Sequence, residues 1–365
     1  VKLSLLALVS YSCGSGLEIM PEWIYPDFEP RPMRPLFLCI ISNTDTGKIP
    51  GLSAAGTTPE LTDYTPGADA ELVETNRIIT MPELPEAPGG SPTPAIVTKA
   101  ALNLTGIPSM FVASGLRKKP AVPYVELGGT AGSDIRKSPA VLDALVIYER
   151  ASLLGRKLAG LSDCVFIGES IAGGTTTALA VLKALGYNAS VSSSFQSNPT
   201  ALKERVVAEA LSRAGIKDGG LKNDPLKAVE QVGDPMMAAA LGLMRGLKGC
   251  RTVLAGGTQM AAVLALGKAL AIDGDISIAT TKYIIEDKSA NFKEIVEATG
   301  RPYYYSDPGL ENSKIPPVQI YAQGYVKEGV GMGGAALLAG LYGIAQRDLV
   351  EETDRVLMTV ELPKR

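Results

Sequence analysis

The chain has 365 residues, 46% of them hydrophobic and 20% charged, which is enough apolar mass to bury a large core and excludes a disordered chain. Its formal charge of −3, with no sustained Lys/Arg run, excludes the electrostatic footprint of a protein that neutralises many phosphates on nucleic acid. It contains no histidine, so Ser-His and Cys-His catalysis, histidine-ligated zinc and an imidazole base are excluded, and acid or base work falls to carboxylates, Lys, Tyr or Cys.

Taken in chain order, the apolar stretch Leu3 to Val9, after Lys2 and before Cys13, superficially resembles a short leader or lipoprotein signal. The run is too short to span a bilayer, one basic residue precedes it, and Ser10-Tyr11-Ser12 is a poor lipidation context. It is therefore expected to belong to the folded domain of a cytoplasmic protein with no membrane partner. Residues 1–95 are rich in Pro and Gly, with short apolar bursts such as Leu36 to Ser42, and read as a loop-rich amino-terminal lobe completing a small domain. Residues 96–345 read as an α/β nucleotide-binding core, and 346–365 as a tail packing on the core or the small lobe. Cys13, Cys39, Cys164 and Cys250 are too far apart to make a chelating pair, and the last three sit in apolar runs typical of buried thiols.

From about residue 105 onward, apolar bursts alternate with Gly-rich turns and Ala/Leu-rich stretches, the grammar of parallel βα units. One unit runs from a strand at Cys164 to Gly168, through Glu169 to Thr177, into a helix at Ala178 to Leu185 stopped by Gly186, with a next strand expected at Ala189 to Ser193. A second takes Thr252 to Ala255 as strand, Gly256-Gly257-Thr258 as turn, Gln259 to Leu270 as helix and Ile276 to Thr280 as strand. The fold class expected is α/β: a doubly wound, mostly parallel sheet with helices on both faces plus a smaller irregular lobe, its ligand crevice at the carboxyl ends of the strands.

Gly173-Gly174-Thr175-Thr176-Thr177 occupies a strand-to-helix turn, where free amides and the helix dipole favour an anion. The same residues suit a structural turn, because any βα junction favours Gly for conformation and Thr for capping; neither a P-loop nor a G-x-G-x-x-G is present. In Lys327-Glu328-Gly329-Val330-Gly331-Met332-Gly333-Gly334 a carboxylate precedes a glycine run and an Ala/Leu helix. Desolvation there could raise its pKa toward general-base values, and the alternative is a solvated Glu in a turn.

These residues resemble a known family. Glu169-x-x-x-Gly173-Gly174-Thr175-Thr176 is similar to the E-x-x-x-G-N-T-T segment of nicotinate-nucleotide:dimethylbenzimidazole phosphoribosyltransferases, and Glu328-Gly329-x-Gly331 to their E-G-T-G segment. Ser91-x-Thr93-Pro94-x-x-Val97-Thr98, Val232-Gly233-Asp234 and Leu254-Ala-Gly-Gly257 fall in matching order, so the resemblance covers about residues 36 to 340. It is closest to a divergent branch carrying G-E-S-x-x-G-G-T-T-T-A-L and K-E-G-V-G. Gly174 replaces an Asn, Thr93 an aromatic residue, and Ala100 a glutamine near the incoming base.

The resemblance implies transfer of the phosphoribosyl group of nicotinate mononucleotide to a benzimidazole-type or purine base, with inversion at the anomeric carbon, giving an α-ribazole-type 5′-phosphate for the lower ligand of a cobamide. It implies Glu328 as general base, with Glu169 as a second catalytic candidate beside the ribose. Gly173, Gly174, Thr175 and Thr176 would hold the phosphate, with Gly256, Gly257 and Thr258 facing the same crevice, and Ser91 and Thr93 would lie at the base. A phosphate-contacting cation would be Arg205 or Lys203, with Ser192-Ser193-Ser194 in place of the family's glycines. The donor's pyridinium leaves as a neutral base, so no cofactor, no metal and no magnesium are called for. A homodimer with small-molecule substrates, and no nucleic-acid partner, is implied. Two other readings fit the same residues: a non-catalytic nucleotide-binding or regulatory protein, and a nucleoside phosphorylase or hydrolase.

Overall fold

Two apolar runs, PLFLCII at Pro35–Ile41 and CVFIGES at Cys164–Ser170, the second turning polar only at its carboxyl end, form the adjacent central strands of the sheet. They belong to a computed structural model that describes residues 21–56, 58–87 and 89–363; Leu3 to Val9 and Cys13 lie outside the described residues. The strands among these are β1 (Ile24–Tyr25), β2 (Pro35–Ile41), β3 (Glu86–Ala87), β4 (Ser91–Pro92), β5 (Ser109–Ala113), β6 (Val125–Glu126), β7 (Cys164–Ser170), β8 (Arg251–Ala255), β9 (Ile276–Thr281) and β10 (Tyr303–Ser306). Eight of them make one sheet in the order β1-β10-β9-β8-β7-β2-β5-β6, parallel throughout except for the edge strand β1, while β3 and β4 pair as a separate short ribbon.

Both faces of the central strands are buried, as parallel sheets require. Leu38, Ile40, Val165 and Ile167 point into one core, with the helices Ala144–Leu158, Gly174–Leu185, Pro235–Gly246 and Thr258–Ala269. Phe37, Cys39, Ile41, Cys164 and Phe166 point into the other, with Thr65–Thr75, Ala95–Thr105, Met332–Leu341 and Gln346–Thr359. Cys39, Cys164 and Cys250 are buried free thiols. The chain winds from β2 outward through β5 and β6, then returns to β7 on the other flank of β2 and continues outward to β10. The order therefore reverses between β2 and β7, and a doubly wound sheet opens its ligand crevice at the carboxyl ends beside that switch.

The described part of the stretch 1–95, from residue 21 on, does not stand apart from the core, because it supplies the central strand β2 and the helix Thr65–Thr75. What remains of the expected irregular lobe is the pair of connections at 42–64 and 76–94, over the carboxyl ends of the strands. The tail helix Gln346–Thr359 packs on Ala95–Thr105, and Ile78 N donates to Glu361 O at 2.8 Å. Ala189 to Ser193 is not a strand. Side chains take its main-chain groups instead of a ladder: Asn291 Oδ1 accepts from Ser190 N, Thr258 Oγ1 from Ser192 N, and Lys203 Nζ donates to Ser192 O. Among the described residues no helix is long and apolar enough to cross a membrane.

Candidate active site

Above the switch lies a cavity of about 740 Å³, counting its open mouth. Its floor is the carboxyl end of β7, where alternation turns Ser170 toward the Thr65–Thr75 helix; its hydroxyl donates to Asp69 Oδ2 at 2.7 Å. Glu169 is 4% exposed. Burial, followed by the neighbouring charges of Glu328 and Asp234, holds its carboxyl well above the ordinary carboxylate range.

One wall is the turn after β7. Gly173 has φ 83°, and a Cβ there would lie 2.5 Å from Gly47 Cα in the loop after β2, so only glycine lets the two loops close on each other. The helix then begins at Gly174, four residues earlier than the Ala/Leu pattern alone indicates. Thr176 N and Thr177 N both bond to Gly173 O, while the amides of Gly174 and Thr175 precede the first intrahelical bond and are suited to an anion. Gln259, in the first turn of the Thr258–Ala269 helix, packs against the bare face of Gly174, where a Cβ would meet Gln259 Nε2 at 2.2 Å.

Ser193 and Ser194 extend this wall. Behind them two buried lysines hold the loop by its carbonyls: Lys203 Nζ donates to Ser192 O at 2.6 Å, and Lys327 Nζ to Ser193 O at 2.8 Å. Trans peptides place each N–H opposite the preceding carbonyl, so the amides of Ser193 and Ser194 turn away from the lysines. Lys327 also pairs with Asp287 at 3.6 Å. Burial, then the charge of Lys327, pushes the Lys203 ammonium down to about 7.

The opposite wall belongs to the second core. Glu328 precedes the helix Met332–Leu341, and its carboxylate accepts from Gly333 N at 2.9 Å and from Gly329 N at 3.1 Å. Burial pushes the Glu328 carboxyl up to about 8, against these two backbone bonds, which lower it. On either side Val326 (φ 48°) and Val330 (φ 52°) hold left-handed backbone that β-branched residues seldom adopt. Val330 N bonds to Glu169 O, and Val330 O accepts from Thr98 Oγ1. These bonds hold the strained segment in place. Asp69, Thr93 and Pro94 complete the wall.

Of the residues read from the sequence, the cavity brings together Glu169, Gly173, Gly174, Thr175, Thr93 and Glu328. Thr176 is buried behind the turn, and Gly257 sits behind Glu328, where a Cβ would be 3.7 Å from Glu328 Cβ. Gly256 packs against Met260, and Thr258 is occupied by Ser192 N. Ser91 is buried beside Pro317 O rather than in the lining. Arg205 is exposed on the outer side of its helix, away from the cavity, because Thr200–Ala214 turns Lys203 inward instead. Ala100 is wholly buried. Sequence reasoning missed Asp69 and Gln259; a lone Asp among Gly67-Ala68 and Ala70 was the available signal for the first. No group of three or more Cys, Asp or Glu side chains among the described residues is arranged to hold a metal ion.

The site thus offers main-chain donors for an anion on one wall and, on the other, a carboxyl poised near neutrality that can take up a proton. No family model matches the chain. It is 51% identical over 339 residues to a UPF0284 protein of Methanosarcina mazei, which covers 92% of this chain and 97% of that protein. It is 46% identical to UPF0284 protein PF0303 of Pyrococcus furiosus, over 89% of this chain and 98% of that one. Among solved structures, a nicotinate-nucleotide-dimethylbenzimidazole phosphoribosyltransferase from Thermus thermophilus shares the fold, with a TM-score of 0.55 and 18% identity over 88% of this chain and 84% of its own.

Proposed function

The chain belongs to the UPF0284 family, and from its cavity we propose that it is a phosphoribosyltransferase that exchanges the nicotinate of nicotinate mononucleotide for a benzimidazole-type or purine base. The observation that carries this reading is one cavity lined both by the amide-rich turn Gly173–Thr175 and by Glu328 with its raised pKa. The Thermus enzyme shares the fold; a fold by itself does not fix a function, so the class of chemistry rests on the site.

In this reading the 5′-phosphate takes the amides of Gly174 and Thr175, joined by those of Ser193 and Ser194. The sugar then lies over Glu169, whose buried carboxyl can hydrogen-bond a ribose hydroxyl. An acceptor base lies against the opposite wall with its N–H toward Glu328. The attacking nitrogen forms a bond to the anomeric carbon as the bond to the nicotinate ring nitrogen breaks, and that bonding pair neutralises the pyridinium. The N–H proton passes to Glu328. Burial favours the neutral acid that results, so proton transfer moves the carboxyl toward its preferred state. The α-nucleotide formed would serve as precursor of a cobamide lower ligand, and the protein would act in the cytoplasm as a homodimer.

Incubation of the purified protein with nicotinate mononucleotide and a panel of benzimidazoles and purines, followed by chromatography, tests the reaction. Release of nicotinate matched by an α-nucleotide is expected. Nicotinate release into water or phosphate would move the protein to the hydrolase or phosphorylase class, and binding without release would make it a nucleotide-binding protein.

A further inference from the structure

Asp69 lines the same cavity as Glu328 and is 2% exposed. Among the described residues its carboxylate is bonded by two hydroxyls, Thr93 Oγ1 on Oδ1 and Ser170 Oγ on Oδ2, each at 2.7 Å. Thr93 Oγ1 also accepts from Ala95 N, so its proton is directed at Asp69 and the network has a fixed sense. An ionised carboxylate offers about four acceptor positions, and this one uses one on each oxygen. Among the described residues no Lys or Arg lines the cavity to neutralise it. Burial, only partly offset by the two hydroxyl bonds, raises its pKa to about 6, so it is charged at neutral pH with acceptor capacity unspent.

Glu71, two residues further along the same helix, shows what a structural carboxylate looks like here. It accepts three main-chain amides, from Ile79, Thr80 and Ala121, and does not line the cavity. Asp69 instead shares its wall with Glu328 and with Thr93–Pro94, the side given above to the acceptor base. Transfer requires Glu328 to remove a single N–H proton. A second carboxylate on that wall therefore has no step in the reaction, and its unspent lone pairs call for a second donor on the same ligand.

Resting on the proposed transferase reading, we infer that Asp69 is a specificity-determining residue, selecting acceptor bases that carry a second N–H donor, such as an exocyclic amine, beside the nitrogen that attacks. The class this describes is the amino-substituted bicyclic heterocycle, and bases lacking the second donor would leave a buried charge unpaired. Sites built to bond a polar group discriminate strongly against analogues without it.

Adenine and purine differ only by the exocyclic amine and so isolate the contact. Calorimetry on the full chain saturated with nicotinate mononucleotide is expected to show adenine binding about 10- to 100-fold more tightly than purine, the span of one hydrogen bond to a charged group. The Asp69→Asn variant should bring the two within about threefold by weakening adenine alone. Equal binding of the two bases by the unaltered protein, or an unchanged preference in Asp69→Asn, overturns the inference; the first comparison needs no variant to fold. Failure of every base to yield product would overturn the transferase reading alone, because the binding ratio decides the role of Asp69 without turnover.

Discussion

Replacing Glu328 by Gln tests the electrostatics of the site and the proposed chemistry separately. The carboxyl rises from an ordinary 4.5 to about 8 in the folded chain, so between those values the native state holds a proton that the unfolded chain has lost. The sign follows directly: native stability falls as pH rises through that window. At about 1.4 kcal/mol per pH unit the full interval is worth about 5 kcal/mol. Glu328 keeps partial contact with the cavity mouth, so about half of that, roughly 2 to 3 kcal/mol, is the realistic share. The glutamine side chain cannot ionise, yet its carbonyl can still accept from Gly333 N. Thermal unfolding of the two proteins at pH 5 and pH 9 should therefore show the variant gaining about 2 to 3 kcal/mol, or about 3 to 4 °C for a chain of this length, as pH rises. A stability difference that stays flat across the window refutes a carboxyl destabilised by burial. Turnover should fall by about two to four orders of magnitude, and in the unaltered enzyme kcat/KM should climb with pH and level off near 8 as the base loses its proton. Undiminished turnover in the variant removes Glu328 from the base role.

Three further changes probe the frame. Gly47→Ala places a Cβ 2.5 Å from Ala172 O, a backbone atom that cannot swing aside; melting temperatures should register a loss of about 1 to 3 kcal/mol. Gly174→Ala meets only the movable end of Gln259 and the Ile171 methyl, so it should leave the melting temperature within a few degrees while weakening nicotinate mononucleotide binding severalfold by calorimetry. Lys327→Met removes the bonds to Ser193 O and Phe195 O and leaves Asp287 without its cation; a stability loss of about 3 kcal/mol by denaturant titration is expected, together with weaker nucleotide binding.

Where side-chain periodicity and glycine placement carry the information, the sequence was legible. The runs at Leu36 and Cys164 became adjacent central strands, and both Gly-Thr turns fell at strand ends. What failed was long-range. Ala189 to Ser193 reads as a strand in the sequence, but a strand needs a neighbour's free edge, and here the partners of Ser190 and Ser192 are Thr258, Asn291 and Lys203 side chains from other elements. Arg205 and Lys203 are two residues apart and equally basic; only the packed face of the helix separates an exposed charge from a buried one. Asp69 and Glu71 likewise look alike in a run of small residues. Their roles diverge because the partners, Thr93 and Ser170 against Ile79, Thr80 and Ala121, arrive from distant segments.

The bare glycine at 174 has a physical reason in Gln259 beside it. A side chain on residue 174 and the Gln259 amide cannot share the space, since a Cβ would lie 2.2 Å from Nε2. The wall's side-chain amide is thus that of Gln259, near the start of the helix after β8. On the other wall, Val326 and Val330 keep a costly backbone shape on both sides of Glu328. That strain is restrained by Glu169 O and Thr98 Oγ1, which bond the two polar groups of Val330. A carboxylate placed by its own helix start alone could fray with it, because the first turn of a helix is its least secured part. Pinning the preceding residues to β7 and to the Ala95–Thr105 helix makes the position of Glu328 a property of the sheet, the rigid body that also fixes the turn at Gly173.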